Sequence, residues 1–314
     1  MKILVTGGSG FIGRNIVLDL LKRGHKVIVI DDLSRGINIS GKIKGKFQFV
    51  CGSVLNFKTL NKLTENIDCI YHLAAINGTK NFYSYPDKVL EVGCKGIINL
   101  LDASKDKGID KLYLFSSSEV YQKPKIIPTP EEVLMKIPDP FNPRYSYAGS
   151  KIISEQMGIH IGSKIFNEVK IIRPHNVYGP NMGKEHVIPE LINKIKYSQY
   201  KNLKSIKIEG NGKETRSFMY IDDFVKALSL IDKKTKNTVE IFNVGVSQEI
   251  SILNLYNRIL KELNLKINIE FTKKKKGATN RRCPDVSKIT SLGFKPKFSL
   301  EKGLSKTIKW YLKN

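Results

Sequence analysis

Thr6-Gly7-Gly8-Ser9-Gly10-Phe11-Ile12-Gly13 is the stretch from which the rest of the chain is read. It follows an apolar run at residues 2–6. It opens a segment, residues 11–23, whose apolar residues recur at helical spacing until Gly24 stops it. Strand, glycine-rich turn and helix start, in that order, make an anion site. Gly7 permits the tight turn, Gly10 lets a pyrophosphate approach the backbone, and Gly13 lets the helix pack close to the strand. A second strand, 26–30, ends on Asp31, roughly 20 residues past the turn. A carboxylate there accepts hydrogen bonds from ribose hydroxyls and repels a 2′-phosphate, which favours NAD over NADP, while Arg35 close by keeps the phosphorylated form open.

Outward from this unit the first half alternates. Residues 47–50, 69–73, 111–115 and 169–172 read as further short apolar strands, and 57–65, 87–107 and 146–166 as the helices between them. Such alternation implies right-handed crossovers and an α/β fold, a doubly wound parallel Rossmann sheet. After about residue 175 the elements shorten, and Pro and Gly crowd the segment 174–183. The expected division is a Rossmann domain over 1–175 and a smaller α/β lobe over 176–314, built from interleaved segments.

Composition narrows the function. Of 314 residues, 41% are apolar, enough for a sizeable core. No apolar run reaches the ~20 residues that span a bilayer, and the chain starts on Lys2-Ile3-Leu4-Val5 without a leader pattern, so no membrane role and a cytoplasmic location are expected. Cys51, Cys69, Cys94 and Cys283 lack the spacing of a zinc site or a disulfide framework, so no metal is expected. The 53 basic and 29 acidic residues give a net charge of +24. That charge is mostly lysine dispersed along the chain, with one dense run at residues 273–276, which argues against nucleic-acid binding and suits an anionic small substrate.

The second chemical pattern is Tyr147-Ala148-Gly149-Ser150-Lys151. Positions i and i+4 share a helix face, so phenol and ammonium can meet one ligand. A cation beside a tyrosine lowers its pKa and makes the phenolate available as a general base.

With these residues in place, the chain resembles the extended short-chain dehydrogenases/reductases of the nucleotide-sugar epimerase and dehydratase family. Three later stretches carry the likeness further: Phe115-Ser116-Ser117-Ser118-Glu119-Val120-Tyr121, Ile172-Arg173-Pro174-His175-Asn176-Val177-Tyr178-Gly179-Pro180, and Gly210-Asn211-Gly212-Lys213-Glu214-Thr215-Arg216-Ser217-Phe218 with Asp222-Asp223. Arg281-Arg282-Cys283-Pro284-Asp285-Val286-Ser287-Lys288 is similar to the family's last diphosphate clamp. The resemblance implies NAD held by Gly7, Gly10, Phe11, Ile12, Gly13, Asp31, Asp32, Ser34, Arg35, Gly36, Ser53, Val54, Leu73, Ala74, Ala75, Lys151 and Pro174. It implies a nucleotide-sugar held by Ser117, Ser118, Asn176, His186, Val187, Arg216, Arg281 and Arg282. It further implies acid–base work by Tyr147, Lys151, Ser117 and Glu119, and a homodimer through the helices near 87–107 and 146–166. Three positions depart from the family pattern. Ser53 stands where Asp is usual, Gly93-Cys94-Lys95-Gly96 replaces Asn-Val-x-Gly, and Gln122 replaces the glycine after Val120-Tyr121.

In this family Tyr147 would take the proton of the sugar C4 hydroxyl while NAD oxidises the carbon. The fate of the resulting 4-keto sugar depends on Ser117-Ser118-Glu119, where dehydratases usually carry Thr-Asp-Glu: a base is present and the acidic Asp is a serine. The phrases Ala75-Ile76-Asn77-Gly78-Thr79-Lys80-Asn81-Phe82-Tyr83 and Asn142-Pro143-Arg144-Tyr145 are similar to a bacterial capsule or lipopolysaccharide subgroup that includes GDP-manno-heptose 4-dehydrogenases. Net oxidation to a 4-keto sugar is therefore the first expectation. 4,6-Dehydration comes next, then 4-epimerisation or decarboxylation, and a catalytically silent NAD-binding regulator is the non-enzymatic alternative.

Overall fold

A computed structural model describes residues 1–36, 45–235, 238–273, 277 and 279–314, so the lysine run at 273–276 lies outside the described residues except for Lys273. In chain order the first elements are β1 (Lys2–Thr6), α1 (Phe11–Lys22), β2 (Lys26–Asp31), β3 (Phe47–Cys51), α2 (Phe57–Leu63) and β4 (Cys69–His72). Next are α3 (Thr79–Ser84), α4 (Pro86–Leu90), α5 (Gly96–Ser104), β5 (Lys111–Phe115), α6 (Ser146–His160) and β6 (Glu168–Pro174). Then come β7 (Val177–Tyr178), α7 (Val187–Tyr200), β8 (Ser205–Glu209), β9 (Thr215–Ser217), β10 (Met219–Tyr220) and α8 (Ile221–Lys234). The chain closes with β11 (Val239–Val244), β12 (Glu249–Ser251), α9 (Ile252–Leu263), β13 (Asn268–Thr272), β14 (Arg281–Arg282), α10 (Ser287–Ser291) and α11 (Leu300–Lys313).

Seven strands form one sheet in the order β11-β6-β5-β4-β1-β2-β3, and β1 to β6 pair in parallel. The order reverses beside β1, the position where an open α/β sheet leaves a crevice at its strand ends. β1, β2 and β5 carry unbroken apolar runs because helices cover both faces, whereas β6 interrupts its run with buried Lys170, which pairs with Glu240. Leu4, Ile28, Ile70, Leu112 and Ile171 of the sheet share a core with Leu60 of α2 and with Ile97 and Leu100 of α5. β3, at the sheet edge, is only partly buried.

The chain forms two compact units. One contains Met1–Gln122, Leu134–Pro174 and Leu228–Phe242, and the other Lys123–Val133, His175–Ala227 and Asn243–Asn314. The second unit contains small sheets, β12-β9-β14, β13-β8 and β10-β7, with α7, α9 and α11. Among the described residues no helix is long and apolar enough to cross a membrane.

The helix expected over 87–107 is interrupted. A π-helical turn, Glu91–Lys95, separates α4 from α5. At its centre Gly93 lies so close to α6 that a Cβ there would meet Ser150 Cβ and Oγ at 2.6 Å. Only glycine allows that approach, which accounts for the departure from the family pattern at this position. The helix expected over 146–166 ends at His160, and a single 3₁₀ turn, Gly162–Lys164, comes after it.

Candidate active site

The glycine-rich turn is built as an anion cradle. Gly7 has φ +70°, and a Cβ on it would lie 2.8 Å from the Ala74 backbone nitrogen. A Cβ on Gly13 would lie 2.2 Å from the Gly7 carbonyl oxygen, so any side chain at either position would push strand and helix apart. Gly10 caps α1 without a side-chain hydrogen bond, and no acid stands in the first turn. The first amides of α1, including those of Phe11 and Ile12, are therefore left for an anionic ligand. At the end of β2, Asp31 accepts hydrogen bonds from the Ser9 and Leu33 amides, both at 2.9 Å. Burial pushes its carboxyl above the usual range, against those two bonds. Asp32 accepts from the Ser34 amide and hydroxyl at 3.0 and 2.6 Å, and Gly36 packs against Ser9. Arg35 donates to the Asn77 carbonyl.

Further along the strand ends, the loop after β4 is tied to β1. The Leu73 amide bonds to Thr6 O at 3.1 Å, and the Ala74 amide bonds to the Thr6 hydroxyl at 3.2 Å. His72, buried, shares that hydroxyl at 2.8 Å, and burial pushes its imidazole down to about 3. Ser53 accepts from the Leu55 amide at 3.2 Å and Val54 is buried, so the serine closes its own turn. These residues fit a dinucleotide: an uncapped helix start, a floor with no room for Cβ atoms, and a carboxylate at the second strand end.

The acid–base residues come together in the same unit. Ser117 ends the segment after β5 and caps the 3₁₀ turn Ser118–Tyr121, accepting from the Glu119 amide at 3.1 Å. Its side chain also acts on the Tyr147 phenol, holding the phenol's pKa down against burial. Tyr147 is buried in the first turn of α6 and stacks on Phe82, centroids 5.0 Å apart. Lys151 lies one turn later, its Nζ 5.8 Å from the Tyr147 ring centroid and donating to Phe115 O at 2.7 Å. Burial pushes Lys151 down to about 8, with the Glu155 charge resisting.

The structure corrects one expectation here. The spacing predicts that Lys151 lowers the tyrosine pKa, yet burial pushes Tyr147 up to about 12, with Glu119 adding to the rise. The groups that oppose it are Ser117 and Arg35. The ammonium is directed at a backbone carbonyl, and desolvation of a phenolate outweighs a cation placed beyond the ring.

Glu119 lies 3.9 Å from the Arg144 guanidinium. Gln122 has φ +54°, a conformation that suits glycine, and its side chain donates to Glu119 O at 2.6 Å. That bond offsets the strain of a non-glycine residue and fixes the turn carrying Glu119. Ser118 is buried in the same turn, and Pro174 ends β6.

Residues of the expected substrate set lie in the second unit. Asn176, at φ +41°, donates to Ser217 O at 3.1 Å. His186 caps α7 and Val187 begins it. Arg216 on β9 donates to Thr215 O at 2.7 Å and Thr279 O at 2.8 Å. Arg282 on the neighbouring β14 donates to Thr279 Oγ1 at 3.2 Å. Arg281, exposed, grips Glu249 with two nitrogens at 2.6–3.0 Å. Asp223 accepts from the Lys297 and Phe298 amides, so this acid of the Asp222-Asp223 pair anchors a loop.

Two arginines of the first unit stand in quoted stretches of the sequence without a role attached to them. Arg173 forms a buried bidentate pair with Glu155, at 2.9 and 2.6 Å, and donates to the Tyr121 hydroxyl at 2.6 Å. Ser116 donates to the same carboxylate. Arg144 is the other. Its signals in the sequence are the phrase Asn142-Pro143-Arg144-Tyr145 and its place three residues before Tyr147.

A profile of the NAD dependent epimerase/dehydratase family matches residues 3–245, and this chain belongs to that family. Its members among similar proteins are enzymes acting on nucleotide-activated sugars. UDP-glucuronic acid decarboxylase 1 of Xenopus tropicalis is 32% identical over 99% of this chain and 72% of its own. UDP-N-acetyl-alpha-D-glucosaminuronate decarboxylase of Bacillus cytotoxicus is 31% identical over 99% and 97%. Among solved structures, a dTDP-glucose 4,6-dehydratase of Streptomyces venezuelae with NAD bound matches with TM-score 0.87 and 26% identity, covering 100% of this chain and 98% of that one. A UDP-glucose 4-epimerase of Thermotoga maritima, solved with UDP-glucose, gives 0.86 and 27%, covering 100% and 99%.

Proposed function

We propose that this chain oxidises C4 of a nucleotide-activated sugar to a 4-keto sugar. The observation that carries the reading is the Tyr147 phenol, buried against Phe82, held down by Ser117 against burial and one helical turn from Lys151. When bound, NAD would accept the hydrogen and electron pair from C4. Gly7, Gly10 and Gly13 would hold its pyrophosphate at α1, and Asp31 its adenine ribose, which favours the form without a 2′-phosphate. Ser117 orients the C4 hydroxyl and Tyr147 Oη takes its proton. In the chain alone burial keeps that phenol protonated at neutral pH, with Ser117 and Arg35 opposing the rise, and Lys151, its Nζ 5.8 Å from the ring centroid, would hold the nicotinamide ribose. Arg216 and Arg282 would hold the diphosphate, because a guanidinium matches phosphate oxygens and stays charged. Arg281 is balanced by Glu249.

Relatives named as decarboxylases and dehydratases support a 4-ketone that reacts further on the same protein, over release of the ketone as product. Glu119 is then the base for the C5 proton. A homodimer through α5 and α6 is supported by Ile98, Ile153 and Ile161, which are 40%, 40% and 42% exposed on those helices and the turn after α6.

The test is product analysis by mass spectrometry and NMR after incubation with NAD and UDP-, dTDP-, CDP- and GDP-sugars, GDP-heptoses included. A 4-ketone or its dehydrated, epimerised or decarboxylated descendant is expected. Tyr147→Phe should lower kcat/KM by about 10²–10⁴-fold. Wild-type turnover in that variant would overturn the mechanism.

A further inference from the structure

The first turn of α6 places Tyr147 at the site, but a helix does not set the plane of a tyrosine ring, because rotation about the ring axis is broad. Lys151 does not set it either: its Nζ is 5.8 Å from the ring centroid and donates to Phe115 O. What lies flat against the ring is Phe82 of α3. The centroids are 5.0 Å apart, the planes are 12° from parallel, and Phe82 and Tyr147 are 4% and 6% exposed. The two belong to a small buried cluster with Val89 of α4, against which Ala75 and Ile76 pack. Phe82 is the other ring of that cluster. α3 is itself held at its start. Gly78 caps it, donating its amide to Asn77 Oδ1 at 2.7 Å and accepting the Phe82 amide at 3.2 Å. Asn77 O accepts Asn81 Nδ2 at 2.9 Å and Arg35 Nη1 as well. Phe82 is thus carried by a turn that is tied down from both sides.

We propose that Phe82 is a positioning residue for the reaction: by stacking on Tyr147 it fixes the plane in which the phenol oxygen takes its proton, and it closes one face of the ring to water. The inference rests on the C4-oxidation reading and adds to it a residue that acts through the tyrosine. A phenol oxygen forms its hydrogen bonds near the plane of its ring, because conjugation holds the O–H there. Turning the ring therefore turns the direction from which Oη accepts a proton, and proton transfer depends on that alignment. Two aromatic rings prefer defined mutual orientations. An aliphatic side chain of similar volume fills the same space and has no such preference. The covered face has a second consequence. Water that cannot reach the ring cannot solvate a phenolate, and burial is the main cause that pushes this phenol up to about 12. The charged and polar groups around the phenol are Glu119 on the turn after β5, Arg35 on the loop after β2, Lys151 on α6 and the Ser117 hydroxyl. A substitution at Phe82 removes none of them.

The test uses three variants. Phe82→Tyr keeps the ring, Phe82→Leu keeps apolar volume without one, and Phe82→Ala opens the face to water. Each is mixed with NAD and UDP-, dTDP-, CDP- and GDP-sugars, and C4 oxidation is followed as NADH and as 4-ketone. Phe82→Leu should lower kcat by about 10- to 100-fold, with KM and NAD affinity within about twofold of wild type, and Phe82→Tyr should keep kcat within about threefold. Wild-type kcat in Phe82→Leu would make the ring a filler of space and overturn the proposal. A loss confined to KM overturns it too, since that marks a substrate contact. The second measurement needs no substrate. In protein carrying carbon-13 at the tyrosine Cζ atoms, with Tyr147→Phe to identify the signal, NMR at about pH 10 should find Tyr147 almost wholly protonated in wild type. In Phe82→Ala the same signal should be substantially ionised, because the phenol moves down towards the ordinary tyrosine value. An unchanged signal in a Phe82→Ala protein that still binds NAD overturns the proposal. Absence of C4 oxidation by wild-type protein across the whole panel would instead overturn the function reading beneath it, and the titration would still decide whether Phe82 controls the tyrosine.

Discussion

α6 is flanked by two guanidinium–carboxylate pairs built in opposite ways. In the third turn, Glu155 meets Arg173 through two short hydrogen bonds, with both side chains at most 2% exposed. Tyr121 and Ser116 take up further capacity of the pair. Just before the first turn, Arg144 meets Glu119 at 3.9 Å and keeps a buried N–H without a protein acceptor among the described residues. A satisfied pair holds elements in place, here α6, β6 and the turn after β5. The Arg144–Glu119 pair is too loose to hold elements in the same way. Residue type alone would have equated them, and geometry separates them.

The largest effect should come from breaking the closed pair. Glu155→Ala leaves the Arg173 charge buried without its partner and should cost about 3–5 kcal/mol of stability by denaturant unfolding. Replacing both residues with Met should recover much of that, since a well-packed apolar pair avoids the desolvation cost. If Glu155→Ala were nearly silent, the contrast between the two pairs would collapse.

That contrast was hidden from the sequence for a physical reason. Glu155 and Arg173 stand 18 residues apart, and only the crossing of α6 over β6 brings them together. The parallel sheet was legible because strands buried on both faces leave unbroken apolar runs, as in Val27–Ile30 of β2. Tyr147 and Lys151 could be paired because helical spacing carries over directly to space, whereas Ser117 was named from the family resemblance. The pKa of Tyr147 could not be read, because its sign depends on burial. The π turn at Gly93 was invisible because its apolar residues still fall near helical spacing. In the second unit, strands of two or three residues such as β9 and β14 are too short to show any period.

Lys151 lies on α6 between the two pairs and gives the next prediction. Its folded pKa, about 8, is below the ordinary lysine value of 10.5, so the unfolded chain binds the proton more tightly. Its burial therefore lowers stability below about pH 8, by roughly 3 kcal/mol, and the penalty is relieved as pH rises from 8 towards 10.5. Lys151→Met should raise stability at neutral pH by an amount of that order, flatten the alkaline rise and abolish turnover. Glu155→Gln should move the Lys151 titration further down, because the carboxylate charge now holds it up. Arg144→Met should leave it in place. NMR titration of the lysine side chain distinguishes the two, and equal shifts from both variants would show that the pairs are electrostatically alike.

The smallest effect belongs to the open pair. Arg144 and Glu119 are separated beyond hydrogen-bond distance, with side chains 12% and 19% exposed. Such a pair contributes little, and removing a buried donor that has no acceptor can offset what little is lost. Arg144→Met should therefore change stability by less than about 1 kcal/mol in either direction. A loss of several kcal/mol in Arg144→Met, measured by denaturant unfolding, would make Arg144 and Glu119 a second structural pair and erase the contrast with Arg173 and Glu155.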